Sequence, residues 1–241
     1  MPGNKKKQLA IATLSTFLLL ACGSGGGDST PDILASGGSG AGNPAGSVAV
    51  QSSVKFSDCF VLKPGVRYTM IDGTEVLNVE EPFEGPMRLG TVRFRSNELR
   101  DVTTFRLVDD TAVTILGEYE YDTAGNNIYK DLYANYSLPA NLQPGQSHTV
   151  NVTQTSTGPG GTSTRDFTQT FTFIGFEDIT LAGRTLTNVC KLRDDSDPAD
   201  THKAYVWHAN GYGLVRQAVL TAEGQLVEGT LQQIGTVATA P

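Results

Sequence analysis

Four carboxylates crowd one short loop, Asp194-Asp195-Ser196-Asp197-Pro198-Ala199-Asp200, and oxygen-rich loops of this kind can bind calcium. The spacing lacks the central glycine and the terminal glutamate of an EF-hand loop. A run of acidic residues between strands is usually a solvated surface. We therefore expect a solvated acidic loop, and whether Asp194–Asp200 binds calcium stays open.

Two further groups of residue types could do chemistry. Glu118 and Glu120 share one face of a predicted strand, as the paired carboxylates of glycosidases can, but we expect such a pair to face solvent. His202 and His208 are six residues apart, which is about 20 Å along a strand and too far to share a metal, and His148 stands alone. The sequence thus predicts no catalytic residue, no metal ligand and no cofactor.

The first 21 residues have the pattern of a signal peptide. Lys5, Lys6 and Lys7 form a basic segment that precedes the apolar stretch Leu9–Ala21. As a helix this stretch would be about 20 Å long, which is short of the roughly 30 Å hydrocarbon core of a bilayer. The segment is therefore typical of secretion rather than of a transmembrane helix.

The end of this segment, Leu19-Leu20-Ala21-Cys22, resembles a bacterial lipobox. The resemblance implies cleavage before Cys22 and a diacylglycerol on its thiol, followed by acylation of the new amino terminus. Gly23, where an aspartate would favour retention in the inner membrane, implies delivery to the outer membrane. Two or more acyl chains anchor a protein persistently, whereas one does so only marginally. The alternative is a soluble secreted protein in which Cys22 lies at this position by chance.

With Cys22 acylated, Cys59 and Cys190 remain as an even pair in an oxidising compartment. Neither belongs to a Cys-x-x-Cys motif, so a redox-active dithiol is not indicated. We expect a structural disulfide between Cys59 and Cys190, with two buried free thiols as the alternative.

Charge and composition divide the chain into three parts: the signal peptide 1–21, a flexible tether 22–47 and one β-rich domain 48–241. The tether contains GSGGGDSTPDILASGGSGAGNPAG, a flexible coil with a reach of about 25–30 Å. The whole chain carries a net charge of −7, and without Lys5, Lys6 and Lys7 there are 15 basic and 25 acidic residues, a net charge of −10. So acidic a protein is not suited to bind nucleic acid or an anionic lipid surface.

Period-two patterning dominates the domain. Phe167, Phe171 and Phe173 alternate with threonines, and turn residues such as Asp72-Gly73 separate the predicted strands. One predicted hairpin joins 213–221 to 225–233 around 222–224. The sequence therefore predicts an all-β fold, a single antiparallel meander that curls into a barrel, half-barrel or sandwich, with few or no helices.

A second resemblance covers 175–192 and 205–215. It is to the tail of a broad group of uncharacterised exported β-rich lipoproteins, which share a Trp-Tyr-Ala-x-Gly-Val-Gly-Leu-Val pattern; this chain has His208 and Tyr212 at two of those positions. The resemblance implies a β-rich fold and no activity. Trp207 is the expected apolar anchor of the core, and Gly211 and Gly213 are expected to permit a tight turn or bulge.

These patterns predict a membrane-anchored envelope lipoprotein with a non-enzymatic binding or structural domain. Its expected partners are the membrane, through the lipid anchor, and another envelope component. The alternative is a carrier that encloses a lipid or other small apolar ligand in a half-barrel. The third possibility is an envelope enzyme without a recognisable motif.

Overall fold

The computed structural model describes residues 54–94, 99–197 and 201–238. The signal peptide, Cys22, the tether and Asp200 lie outside the described residues. The described part is all-β, with one short 3₁₀ helix, Phe56–Phe60, and no α-helix in those three ranges. The predicted fold class is confirmed.

Thirteen antiparallel strands follow the 3₁₀ helix. They are β1 (Arg67–Met70), β2 (Glu75–Pro82), β3 (Met87–Phe94), β4 (Arg100–Val108), β5 (Ala112–Tyr121), β6 (Asn127–Ala134), β7 (Ser137–Pro139), β8 (Ser147–Gly158), β9 (Gly161–Leu181), β10 (Arg184–Asp194), β11 (Lys203–Ala209), β12 (Gly213–Leu220) and β13 (Gln232–Val237).

Twelve of these strands close into a barrel. The order around the ring is β4-β3-β2-β1-β13-β12-β11-β10-β9-β8-β6-β5, and β5 pairs with β4 to complete it. The short β7 pairs with the first residues of β5, beyond the end of β6. Closure gives the backbone groups at both ends of the meander a partner, which removes the exposed edges of an open sheet.

Local turn chemistry explains most of the hairpins, and it also explains one wrong prediction. At Asp72-Gly73 the glycine has φ +87° and the Asp72 carboxylate accepts a hydrogen bond from Thr74 N at 2.9 Å. The turn after β12 forms as predicted, with Thr221 N bonded to Gln225 O at 2.9 Å. The strand predicted at 225–233 is wrong, because β13 begins only at Gln232.

The cause lies in residues 226–231. Gly229 has φ +76°, and the Thr230 hydroxyl donates to Val227 O at 2.7 Å, so the extended alternation is interrupted there.

The 3₁₀ helix fills the space between opposite walls of the barrel. It contacts β5 on one side and β10 and β11 on the other, and these are not neighbouring strands. The rings of Phe56 and Phe173 lie 5.0 Å apart, and Ser57 N donates to Ala140 O at 3.0 Å. The predicted disulfide is confirmed: Cys59 of the helix is bonded to Cys190 of β10.

Candidate functional site

A row of polar side chains crosses five neighbouring strands of the wall. Asn78, Thr91, Thr104, Glu118 and Asp131 are consecutive partners in register from β2 to β6. Directly opposed residues lie on one face of a sheet. Asn78 Nδ2 donates to Gly211 O at 2.8 Å, beyond the end of β11, which is not adjacent to β2 in the ring. The row therefore faces the interior, and we call it the inner polar row.

Glu118 and Asp131 form the carboxylate end of the inner polar row. Both are buried, and Glu118 is only 1% exposed, so the expectation that Glu118 faces solvent is wrong. The Tyr133 hydroxyl donates to Glu118, and the Thr104 hydroxyl does so at 3.4 Å. Burial, followed by the charge of Glu118, raises the pKa of Tyr133, which therefore stays a protonated donor. Closure of the barrel turns this strand face inward, which alternation alone does not reveal.

The Asp131 carboxylate also accepts a hydrogen bond from a neighbouring side chain. Gln154 Nε2 donates to Asp131 Oδ2 at 2.7 Å, and Arg165 Nε donates to Gln154 Oε1 at 2.7 Å. The two carboxylates thus accept hydrogen bonds from hydroxyl and amide groups. Such bonds stabilise the ionised form of a buried carboxylate.

The start of the acidic loop belongs to a second buried network. Asp194 Oδ2 accepts a hydrogen bond from Gln169 Nε2 at 3.2 Å, and Gln169 Oε1 accepts one from Tyr136 at 2.7 Å. Asp195 accepts two bonds from Arg193 Nε, at 2.8 and 3.0 Å. The expectation of a fully solvated loop is therefore wrong for its first two carboxylates. Among the described residues, no group of three or more His, Cys, Asp or Glu is placed to hold a metal ion.

Arg106 lies beside the inner polar row, on β4 two residues beyond Thr104. It is 6% exposed, and Nη2 donates to Thr91 Oγ1 at 3.4 Å. Nε and Nη1 are both buried without a hydrogen-bond partner in the part of the chain that the structure describes. Burial lowers the pKa of Arg106 to about 10, so the guanidinium remains charged at neutral pH.

His208 lies near this guanidinium and is uncharged. Its ring stacks on Phe60 of the segment that precedes β1, with centroids 4.4 Å apart, and its Nδ1 is buried without a partner among the described residues. Burial first, and then the charge of Arg106, lower the pKa of His208 to about 3.

Trp207, Gly211 and Gly213 take the structural places that the sequence suggests. Trp207 is 3% exposed and belongs to a core cluster with Val189 and Val215. Its Nε1 donates to Glu177, a polar partner that the pattern did not indicate. Gly211 and Gly213 have φ +82° and +84°, which permits the tight turn between β11 and β12.

The remaining histidines do not join this site. His148 lines a cleft of about 510 Å³ together with Leu142, Gln143 and Gln146, and no carboxylate is among the described residues that line it. His202 is exposed at the start of β11. The candidate residues predicted from the sequence therefore do not form one site. Arg106, which the sequence analysis did not single out, is a buried charged residue with two nitrogens that have no hydrogen-bond partner among the described residues. A single arginine in a β-branched segment has no sequence signal that marks it.

Comparisons with known proteins do not place this chain in a family. No family model, no curated protein and no solved structure matches it. The two resemblances drawn from the lipobox and from the tail motif stay predictions. Within the described ranges, no helix is long and apolar enough to span a membrane.

Proposed function

We propose that this chain is an exported lipoprotein, acylated at Cys22, whose β-barrel acts as a non-enzymatic binding or structural module of the cell envelope. The observation that carries the export step is the disulfide between Cys59 and Cys190. Disulfides persist in oxidising compartments and are rare in the cytosol. The signal-peptide pattern and the Leu19-Leu20-Ala21-Cys22 segment support the same address, with the outer membrane as the destination.

The non-enzymatic part of the proposal rests on how the buried polar groups are used. Glu118 and Asp131 accept hydrogen bonds from neighbouring side chains, and Asp194 and Asp195 do the same at the barrel's other network. These contacts use the four carboxylates as hydrogen-bond acceptors within the barrel, which supports a structural role for them.

The second candidate is a carrier of a lipid or other apolar ligand inside the barrel. The closed ring of twelve strands favours it, since barrels of this kind can enclose a ligand. The 3₁₀ helix weighs against a large apolar cargo, because Phe56 and Phe60 occupy the space between opposite walls. Native mass spectrometry of the purified chain separates the two: co-purifying lipid supports the carrier, and bare protein supports the packed module.

The anchor is tested by replacing its acceptor atom. Cys22→Ser should abolish incorporation of a labelled fatty acid and release the protein from the membrane fraction, because the serine oxygen does not replace the thiol in this acylation. Wild-type protein is the positive control, and Cys59→Ser/Cys190→Ser is a matched control that replaces two other cysteines without touching the lipobox. Retention of label or of membrane association by Cys22→Ser would overturn the proposal.

A further inference from the structure

We propose that the cleft at the start of β8 binds a neutral glycan, and that the hydroxyl groups along β8 and β9 hold the continuation of the glycan chain. The proposal rests on the binding role proposed above and names its class of ligand, but it does not depend on the lipid anchor. Three observations carry it: the space in the cleft, the uncharged polar groups that line it, and a row of paired hydroxyls that begins in it.

The first observation is an open space of suitable size. The cleft has a volume of about 510 Å³, within the roughly 300–1,000 Å³ that is typical of small-molecule sites. It is lined by Pro139 of β7, by four residues of the loop that follows, and by Ser147 and His148 at the start of β8. Leu142 is buried, whereas Gln146 and Ser147 are exposed. A ligand therefore reaches the cleft from solvent without any opening of the barrel.

The second observation is the chemistry of the lining. The polar side chains are amides, a hydroxyl and an imidazole, and no Asp, Glu, Lys or Arg is among the described residues that line the cleft. Phosphate and carboxylate ligands are typically bound by Arg or Lys, which this lining lacks. An amide carries two donor hydrogens and an acceptor oxygen, and so matches the donor and the acceptor of a sugar hydroxyl. The lining therefore favours an uncharged ligand that is rich in hydroxyl groups.

The loop that forms the cleft is ordered before any ligand binds. Gln143 N donates to Gln146 Oε1 at 2.8 Å, which fixes the orientation of that amide and leaves its Nε2 without a hydrogen-bond partner among the described residues. Gly145 N donates to Phe173 O at 2.7 Å, and Phe173 N donates to Gln146 O at 2.9 Å, so the loop is tied to β9. A site that is ordered in advance loses less entropy when it binds a ligand.

The third observation is a row of paired polar side chains that leads away from the cleft. Ser147, which lines the cleft, is hydrogen-bonded through Oγ to Thr172 Oγ1 of β9 at 2.8 Å. The next pair on the same face, Thr149 and Thr170, is bonded in the same way at 2.9 Å. We call this row the hydroxyl ladder. Three more bonded pairs belong to it: Asn151–Thr168 at 2.8 Å, Thr153–Asp166 at 2.6 Å and Thr157–Thr162 at 3.2 Å.

The hydroxyl ladder is suited to a chain of sugars rather than to a single sugar. At about 3.3 Å per residue, the ladder extends over about 33 Å from Ser147 to Thr157. Threonine has few rotamers, and each cross-strand bond restricts its hydroxyl further, so the polar groups are held in fixed positions. A hydroxyl that donates to its partner still has lone pairs that accept from a ligand. A glycan that begins in the cleft therefore meets hydrogen-bonding groups along its length.

The test titrates the full chain in detergent with four neutral hexasaccharides, built from glucose, galactose, mannose or N-acetylglucosamine. Hexagalacturonate, which carries a carboxylate on each unit, is the charged control. Binding is measured by calorimetry. We expect at least one neutral hexasaccharide to bind, and hexagalacturonate to bind at least about tenfold more weakly. The disaccharide of the sugar that binds should also bind at least about tenfold more weakly, because it reaches the cleft but not the ladder.

One pair of variants assigns the binding to the cleft. Gln146→Glu keeps the oxygen that accepts from Gln143 N but replaces the donor Nε2 by a second oxygen, so it should weaken hexasaccharide binding by at least about tenfold. Gln225→Glu is the matched control, since it makes the same change of charge at an exposed position outside the cleft. It should leave the binding unchanged. Thermal unfolding checks that each variant is folded.

A second pair of variants assigns the binding to the hydroxyl ladder. Thr149→Val/Thr170→Val removes one pair of hydroxyls and keeps the β-branched shape. It should weaken hexasaccharide binding by at least about fivefold and leave disaccharide binding unchanged. Thr180→Val/Thr185→Val is the matched control, because it removes an exposed pair bonded at 3.1 Å on the hairpin of β9 and β10. It should change neither affinity.

Four results would overturn the proposal. They are no binding of any neutral hexasaccharide, equally tight binding of hexagalacturonate, equal weakening by Gln146→Glu and Gln225→Glu, and equal affinity for the disaccharide and the hexasaccharide. None of them changes the result expected for Cys22→Ser. Failure of the glycan site and failure of the proposed lipoprotein are therefore distinguished.

Discussion

Buried charge is paired at one place in the barrel interior and incompletely paired at another. In the inner polar row, the carboxylates of Glu118 and Asp131 receive hydrogen bonds from Tyr133 and Gln154. Beside this row, on β4, Arg106 has two nitrogens without a hydrogen-bond partner among the described residues. All three side chains are buried, so burial alone does not explain the difference.

An irregularity in β5 lies between the two sites. Phe105 pairs with Gly117, but the next residue, Arg106, pairs with Ile115, so Leu116 is an extra residue in β5. A bulge of this kind re-aims the side chains beside it. Thr104, on the regular side, donates to Glu118, whereas Arg106, on the other side, donates to Thr91.

The largest expected loss of stability comes from replacing Gly117, which lies next to the bulge. Gly117 has φ +151°, and a Cβ atom there would lie 2.1 Å from Asp131 O and 2.9 Å from Phe83 Cζ. Gly117→Ala should therefore lower the free energy of unfolding by roughly 3 kcal/mol or more, through the clash and the strained backbone together. Denaturant unfolding measures it.

The control for Gly117→Ala is Gly125→Ala. Gly125 has φ +82° but nothing within 4 Å of its Cβ position, so it carries the backbone cost without the clash. We expect a loss of about 1 kcal/mol there. Equal losses at the two positions would show that the close packing around Gly117 does not hold the bulge.

Substitutions at Tyr133, which donates to Glu118, and at Arg106 should change the stability of the protein in opposite directions. Tyr133→Phe removes a donor to the buried Glu118 carboxylate and should destabilise the protein by about 1.5–3 kcal/mol. Arg106→Met removes a buried unpaired charge and should stabilise the protein by about 1–2 kcal/mol. Denaturant unfolding at constant pH compares them.

Tyr129→Phe is the matched control for Tyr133→Phe, since Tyr129 is 44% exposed and its substitution should change stability by less than about 0.5 kcal/mol. Destabilisation by Arg106→Met, as large as that by Tyr133→Phe, would mean that a partner already satisfies the guanidinium. The carboxylates of Glu118 and Asp131 and the guanidinium of Arg106 would then not differ in how well their charges are paired.

A further effect is a pH dependence of the stability that arises at His208. Its folded pKa, about 3, lies below the ordinary value of 6.5, so the unfolded chain binds more protons between these values. Stability from this group is complete above pH 6.5 and declines as the pH falls. The decline should reach up to about 2 kcal/mol between pH 6.5 and 5. Urea unfolding at several pH values measures it.

His208→Gln should remove this part of the pH dependence, whereas His202→Gln, at an exposed position, should leave it unchanged. Arg106→Met should reduce it, because the guanidinium is the second cause of the lowered His208 pKa. The same slope in wild type and His208→Gln would contradict a buried neutral imidazole.

Much of the fold follows from short-range pattern. Alternation and turn residues predict the all-β meander, because each hairpin is specified by its own apolar face and its own turn. The prediction failed at 225–233, where Gly229 and a hydroxyl–backbone bond from Thr230 compete with extension. This competition also involves the neighbouring strand, because the Thr230 hydroxyl donates to Val219 O. A pattern of adjacent residues therefore does not predict it.

The sequence by itself determined the class of fold and the pairing of Cys59 with Cys190, since these rest on residue type, order and parity; the export route stays a prediction. Only the tertiary structure decided which strand face is inside. Closure of the ring turned Glu118 inward against expectation, and it buried Arg106 with two nitrogens that have no partner among the described residues. Burial and pairing of a charge depend on residues far apart in the chain, so they are decided only once the barrel is closed.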